Sequence, residues 1–127
     1  MQIKTLQIPW TTIGIDTTTE VFIPCTNWVQ SDGVEKARMN WELEAPTAEF
    51  NARPAIQFAN TPDGSKTTVG LETNPETTTG LKFASGWKPV DTESADNMIL
   101  RGGFFVKKTT SGLTFGRVTG QIELKGC

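Results

Sequence analysis

Apolar and polar residues alternate along much of this chain, which is the pattern of β-strands with one buried and one solvated face. The alternation is cleanest at residues 36–44, where Met39, Trp41 and Leu43 point one way and the residues between them are polar or charged. Further short strands are predicted at residues 20–26, 53–60, 69–71 and 81–83. A Thr-Pro-Asp-Gly turn at residues 61–64 and other turn signals separate them.

The longest alternating runs lie at residues 97–127, where they predict a closing β-hairpin. A three-residue loop, Thr110-Ser111-Gly112, would place glycine at the left-handed position that such loops favour. The predicted cross-strand pairs are Leu100 with Ile122, Gly102 with Gly120, and Phe104 with Val118. Seven apolar residues of one parity form the predicted buried face: Met98, Leu100, Phe104, Val106, Val118, Ile122 and Leu124. The adjacent glycines at 102 and 103 indicate a closely packed covering layer or a bulge.

The outer face of this predicted hairpin is unusually apolar. Phe105, Leu113 and Phe115 lie there with Lys107 and Arg117. The register places Phe105 opposite Arg117 and Lys107 opposite Phe115, within reach of cation–π contact. Either another part of the same chain covers these rings, or they form a contact surface for another subunit or a capsid.

The composition favours an all-β protein. The chain has 127 residues, enough for one domain, and is rich in threonine and glycine without long helix-forming runs. We predict a single antiparallel β-sandwich of seven or eight strands, jelly-roll or immunoglobulin-like, closing with the long C-terminal hairpin. Residues 1–18 are predicted to be an extended arm or edge strand, because Pro9 cannot donate to a ladder, and residues 19–127 to be the sandwich domain. Residues 86–96 are predicted to be a polar loop.

The residue inventory argues against catalysis. The chain has no histidine, which removes His-based triads and His-ligated metals, and its two cysteines, Cys25 and Cys127, lack metal-ligand spacing. Glu42 and Glu44 would stand about 7 Å apart on one strand face, but a solvated surface explains such a pair better than an inverting glycosidase. We therefore expect no enzyme activity, no catalytic or metal-binding residue and no cofactor. Both cysteines are expected to be free thiols, with a disulfide between them left open.

Charge and hydropathy limit the partners. A net charge of −2 and a pI near 5.1 provide no general attraction to nucleic acid or to an anionic membrane. No stretch reaches 18 consecutive apolar residues and no signal peptide is visible, so we expect no membrane partner and synthesis in a cytoplasm.

The four tryptophans divide into two groups. Trp41 is predicted to be in the core because of its place in the alternation. Trp10, Trp28 and Trp87 lie near loops or strand ends, where they could cap the core or stand exposed for stacking on a sugar. A carbohydrate-binding module is therefore one interpretation of this sequence.

A resemblance points to another interpretation. The segment from Arg101 to Gly112, followed by Arg-Val-Thr-Gly-Gln-Ile-Glu at 117–123, resembles the closing hairpin of small β-sandwich virion proteins of tailed bacteriophages. The segment at 53–60 resembles them too. This resemblance implies a capsid decoration (cement) protein without enzymatic activity, bound as a homo-oligomer to a phage capsid or to other virion proteins. It also implies a location in the virion after synthesis in the host cytoplasm. The oligomeric state, the sandwich topology, the partner and the host remain open.

Overall fold

The computed structural model describes residues 3–31, 33–47, 49–83, 86–109 and 112–126. Within these residues, ten β-strands and one short helix form two antiparallel sheets that pack face to face. The strands are β1 (Ile3–Ile15), β2 (Val21–Pro24), β3 (Val29–Gln30), β4 (Val34–Glu44), β5 (Phe50–Ala59), β6 (Lys66–Gly70), β7 (Gly80–Phe83), β8 (Lys88–Pro89), β9 (Ile99–Lys108) and β10 (Thr114–Gly126). The predicted all-β sandwich is confirmed. The prediction of seven or eight strands was too low, and two of the ten strands, β3 and β8, have only two residues each.

The two sheets have similar plans. In sheet I the strand order is β1-β10-β4-β7, and β8 also pairs with β4. In sheet II the order is β2-β9-β5-β6, and β3 also pairs with β9. The strand β1 therefore lies at an edge of sheet I, with Ile8, Ile13 and Ile15 buried in the core. Its register with β10 shifts between Ile8 and Thr11, at the position of Pro9.

The predicted C-terminal hairpin is wrong. The strands β9 and β10 belong to different sheets, so the pairs Leu100–Ile122, Gly102–Gly120 and Phe104–Val118 do not form. A residue alternation determines which face of a strand is buried, but it does not determine whether the next buried strand lies beside it or opposite it. Gly112 has the expected positive φ, +96°, while Thr110 and Ser111 of the predicted loop lie outside the described residues.

The buried face of these two strands was predicted well. Six of the seven residues are at most 1% exposed, namely Leu100, Phe104, Val106, Val118, Ile122 and Leu124. Met98 is the exception, because it precedes β9 and is 64% exposed. The six meet across the interior of the sandwich, three from each sheet.

Trp41 joins the two sheets, as its alternation predicted. Its side chain is 3% exposed, and its ring centroid lies 5.1 Å from that of Phe104 on the facing sheet. Its neighbours Met39 and Leu43 on β4 are fully buried.

The adjacent glycines of β9 mark two close approaches, one to the facing sheet and one to the neighbouring strand β2, and the first confirms that a covering layer packs tightly here. A Cβ atom on Gly102 would collide with Cδ1 of Ile122 in sheet I. A Cβ atom on Gly103 would collide with the carbonyl oxygen of Ile23 in β2. The first obstacle is the end of a side chain and the second is backbone.

The segment at 86–96 is more ordered than the predicted loop. It contains β8 and the helix α1 (Asp91–Asp96), where Ser94 is buried and donates to the carbonyls of Val34 and Asp91. A helix of six residues is too short to show a helical period in sequence. In the described part of the chain, no helix has the length and apolar character needed to cross a membrane.

Candidate functional site

The five predicted contact residues do not form one surface. Phe105 and Lys107 alternate with buried residues on β9, so they point outward from sheet II. Leu113 precedes β10, and Phe115 and Arg117 point outward from sheet I. The predicted contacts of Phe105 with Arg117 and of Lys107 with Phe115 therefore do not form. Both depended on the hairpin.

Phe105 is covered by its own chain. Its ring packs edge-on against Phe22, with ring centroids 6.1 Å apart, and the guanidinium of Arg53 lies 4.5 Å above it. Arg53 donates two hydrogen bonds to the Glu20 carboxylate, at 2.9 and 2.7 Å, and a third to the carbonyl oxygen of Glu72 at 2.8 Å. For this ring, the same-chain interpretation of the predicted outer face holds.

The Arg53–Glu20 ion pair, which forms part of this cover, shifts the pKa of both partners. Hydrogen bonds from Arg53 lower the pKa of Glu20 below its ordinary value of 4.5, although partial desolvation opposes them. The same hydrogen bonds raise the pKa of Arg53. Both shifts favour the charged pair. The pair links Glu20, which immediately precedes β2, to Arg53 of β5, and so helps to cover the outer face of sheet II.

Sheet I, in contrast, leaves three large apolar side chains exposed at one end. We call Trp10, Leu113 and Phe115 the end patch; they are 42%, 61% and 52% exposed. The Phe115 ring lies over Gly14, its partner on β1, at 2.8 Å from the position that a Cβ atom would occupy. Arg117 lies 4.8 Å from the Trp10 ring centroid.

The three tryptophans proposed for sugar stacking lie apart. Trp28 lies on the outside of sheet II, beside Arg101 of β9, while Trp10 and Trp87 contact Arg117 and Lys125 of β10 in sheet I. Eight residues of strand separate those two contacts, or about 27 Å. Each of the three rings carries a cation over one face. The contacts are Trp10 with Arg117 at 4.8 Å, Trp28 with Arg101 at 4.3 Å, and Trp87 with Arg38 at 4.4 Å and Lys125 at 5.1 Å. The structure therefore does not assemble them into one stacking platform.

The carboxylates and the thiol that were considered for catalysis or metal binding have ordinary structural surroundings. Glu44 lies 3.4 Å from Arg117 in an ion pair, and Glu42 is its neighbour on the same strand face. Cys25 is a free thiol whose pKa is raised to about 11 by burial, whereas Cys127 lies outside the described residues. Among the described residues, no group of three or more cysteine or carboxylate side chains is placed to hold a metal ion.

Sequence reasoning missed the row of amide side chains in the middle of sheet I. Gln7 on β1, Gln121 on β10 and Asn40 on β4 are directly paired across three adjacent strands. The residues are distant in sequence, so the strand order of sheet I was needed to find them.

Comparison with known proteins identifies the fold. No protein-family profile and no curated protein sequence matches the chain. Among solved structures, the chain is similar to T=1 particles derived from infectious bursal virus, with a TM-score of 0.70 and 10% identity over 97% of this chain and 31% of that one. It is also similar to the infectious bursal disease virus Gx strain, with a TM-score of 0.66 and 9% identity over 98% of this chain and 32% of that one. The VP2 subviral particle of the same virus matches with a TM-score of 0.65 and 10% identity, over 97% and 32% of the two chains.

The fold is thus a viral capsid-like β-sandwich. The chain spans about a third of the length of the particle proteins it matches. At this level of identity the likeness concerns the fold alone. The matched particles belong to infectious bursal disease virus, so the resemblance to tailed bacteriophages in particular stays a prediction.

Proposed function

We propose that this protein is a non-enzymatic structural component of a virus particle, and more specifically a decoration protein that binds a bacteriophage shell as a homo-oligomer. The observation that carries the proposal is the fold. Nearly the whole chain, 97–98% of it, superimposes on a sandwich within particle proteins. On this proposal the protein is made in the host cytoplasm and ends in the virion.

The two outer faces differ in a way that favours binding through sheet I. On sheet II, Phe22, Arg53 and Phe105 cover one another, so this region offers little free apolar surface. On sheet I, the end patch leaves two aromatic rings and a leucine in solvent. Exposed apolar clusters of this kind are typical of protein–protein interaction sites.

The chemistry of the end patch suits an interface anchor. Binding energy at interfaces concentrates on tryptophan, tyrosine and arginine near a desolvated centre. Here Trp10 and Arg117 are in contact, and Phe115 is the next outward residue on the strand from Arg117. A modest affinity per copy would be sufficient on a symmetric shell, because many linked copies bind together.

The experiment that tests the proposal compares the solution mass of four proteins by light scattering in reductant. We expect the wild type to be an oligomer and Phe115→Glu and Leu113→Glu to be smaller, with unchanged circular dichroism. Met98→Glu is the matched control, because Met98 is 64% exposed but lies outside the end patch. It should keep the wild-type mass.

Particle binding is then measured directly by co-sedimentation with purified shells of the source virus. The wild type and Met98→Glu should sediment with the shells, and Phe115→Glu should stay in the supernatant. The proposal would be refuted if the wild type were monomeric and did not sediment with the shells. Undiminished binding by Phe115→Glu would refute the role of the end patch.

A further inference from the structure

The middle of the outer face of sheet I carries a row of uncharged polar side chains. Gln7, Gln121 and Asn40 stand side by side on β1, β10 and β4. Adjacent strands are about 4.8 Å apart, so the row is about 10 Å long across the strands. None of the three amide groups makes a hydrogen bond to another described residue. Each amide therefore offers two N–H donors and a carbonyl acceptor to a ligand.

This row is the floor of a groove of about 240 Å³. Thr119 continues the floor along β10, and its hydroxyl donates to the carbonyl of Ile8 at 2.7 Å. Leu81 forms a side of the groove from β7 and is 67% exposed. The groove thus combines free hydrogen-bonding groups with one exposed apolar side chain, and its lining also includes two charged residues, Glu42 of β4 and Lys82 of β7.

Most of the charges beside the row are already paired within the chain. Of the two charged residues that line the groove itself, Lys82 lies 3.7 Å from a carboxylate oxygen of Glu76, whereas no described residue pairs with the Glu42 carboxylate. Two triads stand on either side of the row along β10, each made of a tryptophan, an arginine and a glutamate. The triads are Trp87–Arg38–Glu123 and Trp10–Arg117–Glu44. The guanidinium groups lie 4.4 and 4.8 Å from the tryptophan ring centroids and 3.2 and 3.4 Å from the glutamate oxygens. An ionic ligand would have to compete with these pairs, and an acidic ligand would also be repelled by the unpaired Glu42 carboxylate, which can accept hydrogen bonds from the hydroxyl groups of a neutral ligand.

We infer that this groove binds a neutral, hydroxyl-rich ligand, namely an oligosaccharide. Sugar hydroxyls both donate and accept, which matches the three amides, and the C–H face of a sugar ring can pack on Leu81. An extended peptide fits less well, because peptides that add to sheets pair with the main chain at an edge, not with side chains in the middle of a face. The inference does not depend on a virion role and uses neither Trp28 nor the end patch for recognition.

The test is a microarray of neutral and acidic glycans, followed by titration of the strongest neutral binder against the ¹⁵N-labelled full chain by NMR. We expect neutral glycans to bind and to shift the side-chain amide signals of Gln7, Gln121 and Asn40. Gln121→Ala, at the centre of the row, should weaken binding about fivefold or more, the effect of losing one or two hydrogen bonds. Gln30→Ala is the matched control, because Gln30 is an exposed glutamine on β3 of the other sheet. It should bind like the wild type.

Two results would overturn the inference: no neutral glycan binds, whether or not acidic glycans do, or Gln121→Ala binds as tightly as Gln30→Ala. These outcomes are separate from those of the particle experiments, which depend on Phe115 and Leu113. Either idea can therefore fail while the other survives.

Discussion

Shortening Ile122 to valine should relieve the damage that an alanine at position 102 does to the core. Gly102 on β9 faces Ile122 on β10 across the sandwich, and both residues are buried. A Cβ atom at position 102 would occupy the space of Cδ1 of Ile122. Valine lacks that methyl group. The substitution at 122 therefore removes the obstructing atom and nothing else from the side chain.

The magnitudes follow from the packing. Overpacking a close-packed core costs about 1–3 kcal/mol, which is the expected loss for Gly102→Ala. Ile122→Val should cost about 0.5–1.5 kcal/mol through the lost methyl group. If the two effects were independent, their costs would add to within about 0.5 kcal/mol. We expect instead that the double variant is about as stable as Ile122→Val alone, a favourable coupling of about 1 kcal/mol or more.

The assay is urea unfolding of the wild type, the two single variants and the double variant, with tryptophan fluorescence as the measure of unfolding. Trp41 reports on the core because its ring lies 5.1 Å from that of Phe104, between the two sheets. If the free energy of unfolding falls with urea concentration at the same slope in all of these proteins, differences between their urea midpoints measure differences in stability.

The control uses the neighbouring glycine. A Cβ atom on Gly103 would meet the backbone carbonyl of Ile23, so Ile122→Val should not rescue Gly103→Ala. Additive costs for the pair 102/122, or equal rescue at position 103, would refute the face-to-face packing of β9 and β10.

Three further predictions concern an ion pair, a thiol and two aromatic rings. Glu20→Gln should flatten the loss of stability in acid: the folded-state pKa of Glu20 lies below 4.5, so its stabilisation is present above that pH and is lost as the pH falls through the lowered value. Urea midpoints between about pH 5 and pH 3 measure this, and equal acid slopes for the two proteins would contradict it. With Cys127 replaced by serine, Cys25 at pH 8 should react with a disulfide reagent about 100-fold more slowly in the folded chain than in urea, because burial raises its pKa from 9.0 to about 11. Equal rates would show that the thiol is not buried. Phe105→Ala should lower the free energy of unfolding by about 2 kcal/mol or more, and Phe115→Ala by less than about 1 kcal/mol, both measured from urea midpoints. The reverse order would show that Phe115, and not Phe105, is the covered ring.

The predictions that failed are those about which strands lie next to each other in a sheet. The cation–π contacts predicted for Phe105 and Phe115 failed because each was assigned a cation from a strand that lies in the other sheet. Their aromatic and basic character was recognised correctly. Phe105 does contact an arginine, but it is Arg53 of β5, which is 52 positions earlier in the chain.

The helix α1 and the amide row escaped prediction for a different reason. A six-residue helix has fewer than two turns, so its apolar positions show no period. The amides of Gln7, Asn40 and Gln121 are ordinary polar residues in the outward positions of three strands. No local signal marks them as a group.

Alternation in the sequence determined the strand content, the inward or outward direction of most side chains and the set of core residues, from Met39, Trp41 and Leu43 to Ile122 and Leu124. The reason is that successive side chains of a strand point to opposite faces, whatever lies beside it. The tertiary structure alone decided that β9 and β10 face each other across the core, that Phe105 is covered while Phe115 is exposed, and that three distant amides form one groove. These features depend on which strands become neighbours, and a period of two residues carries no information about that choice.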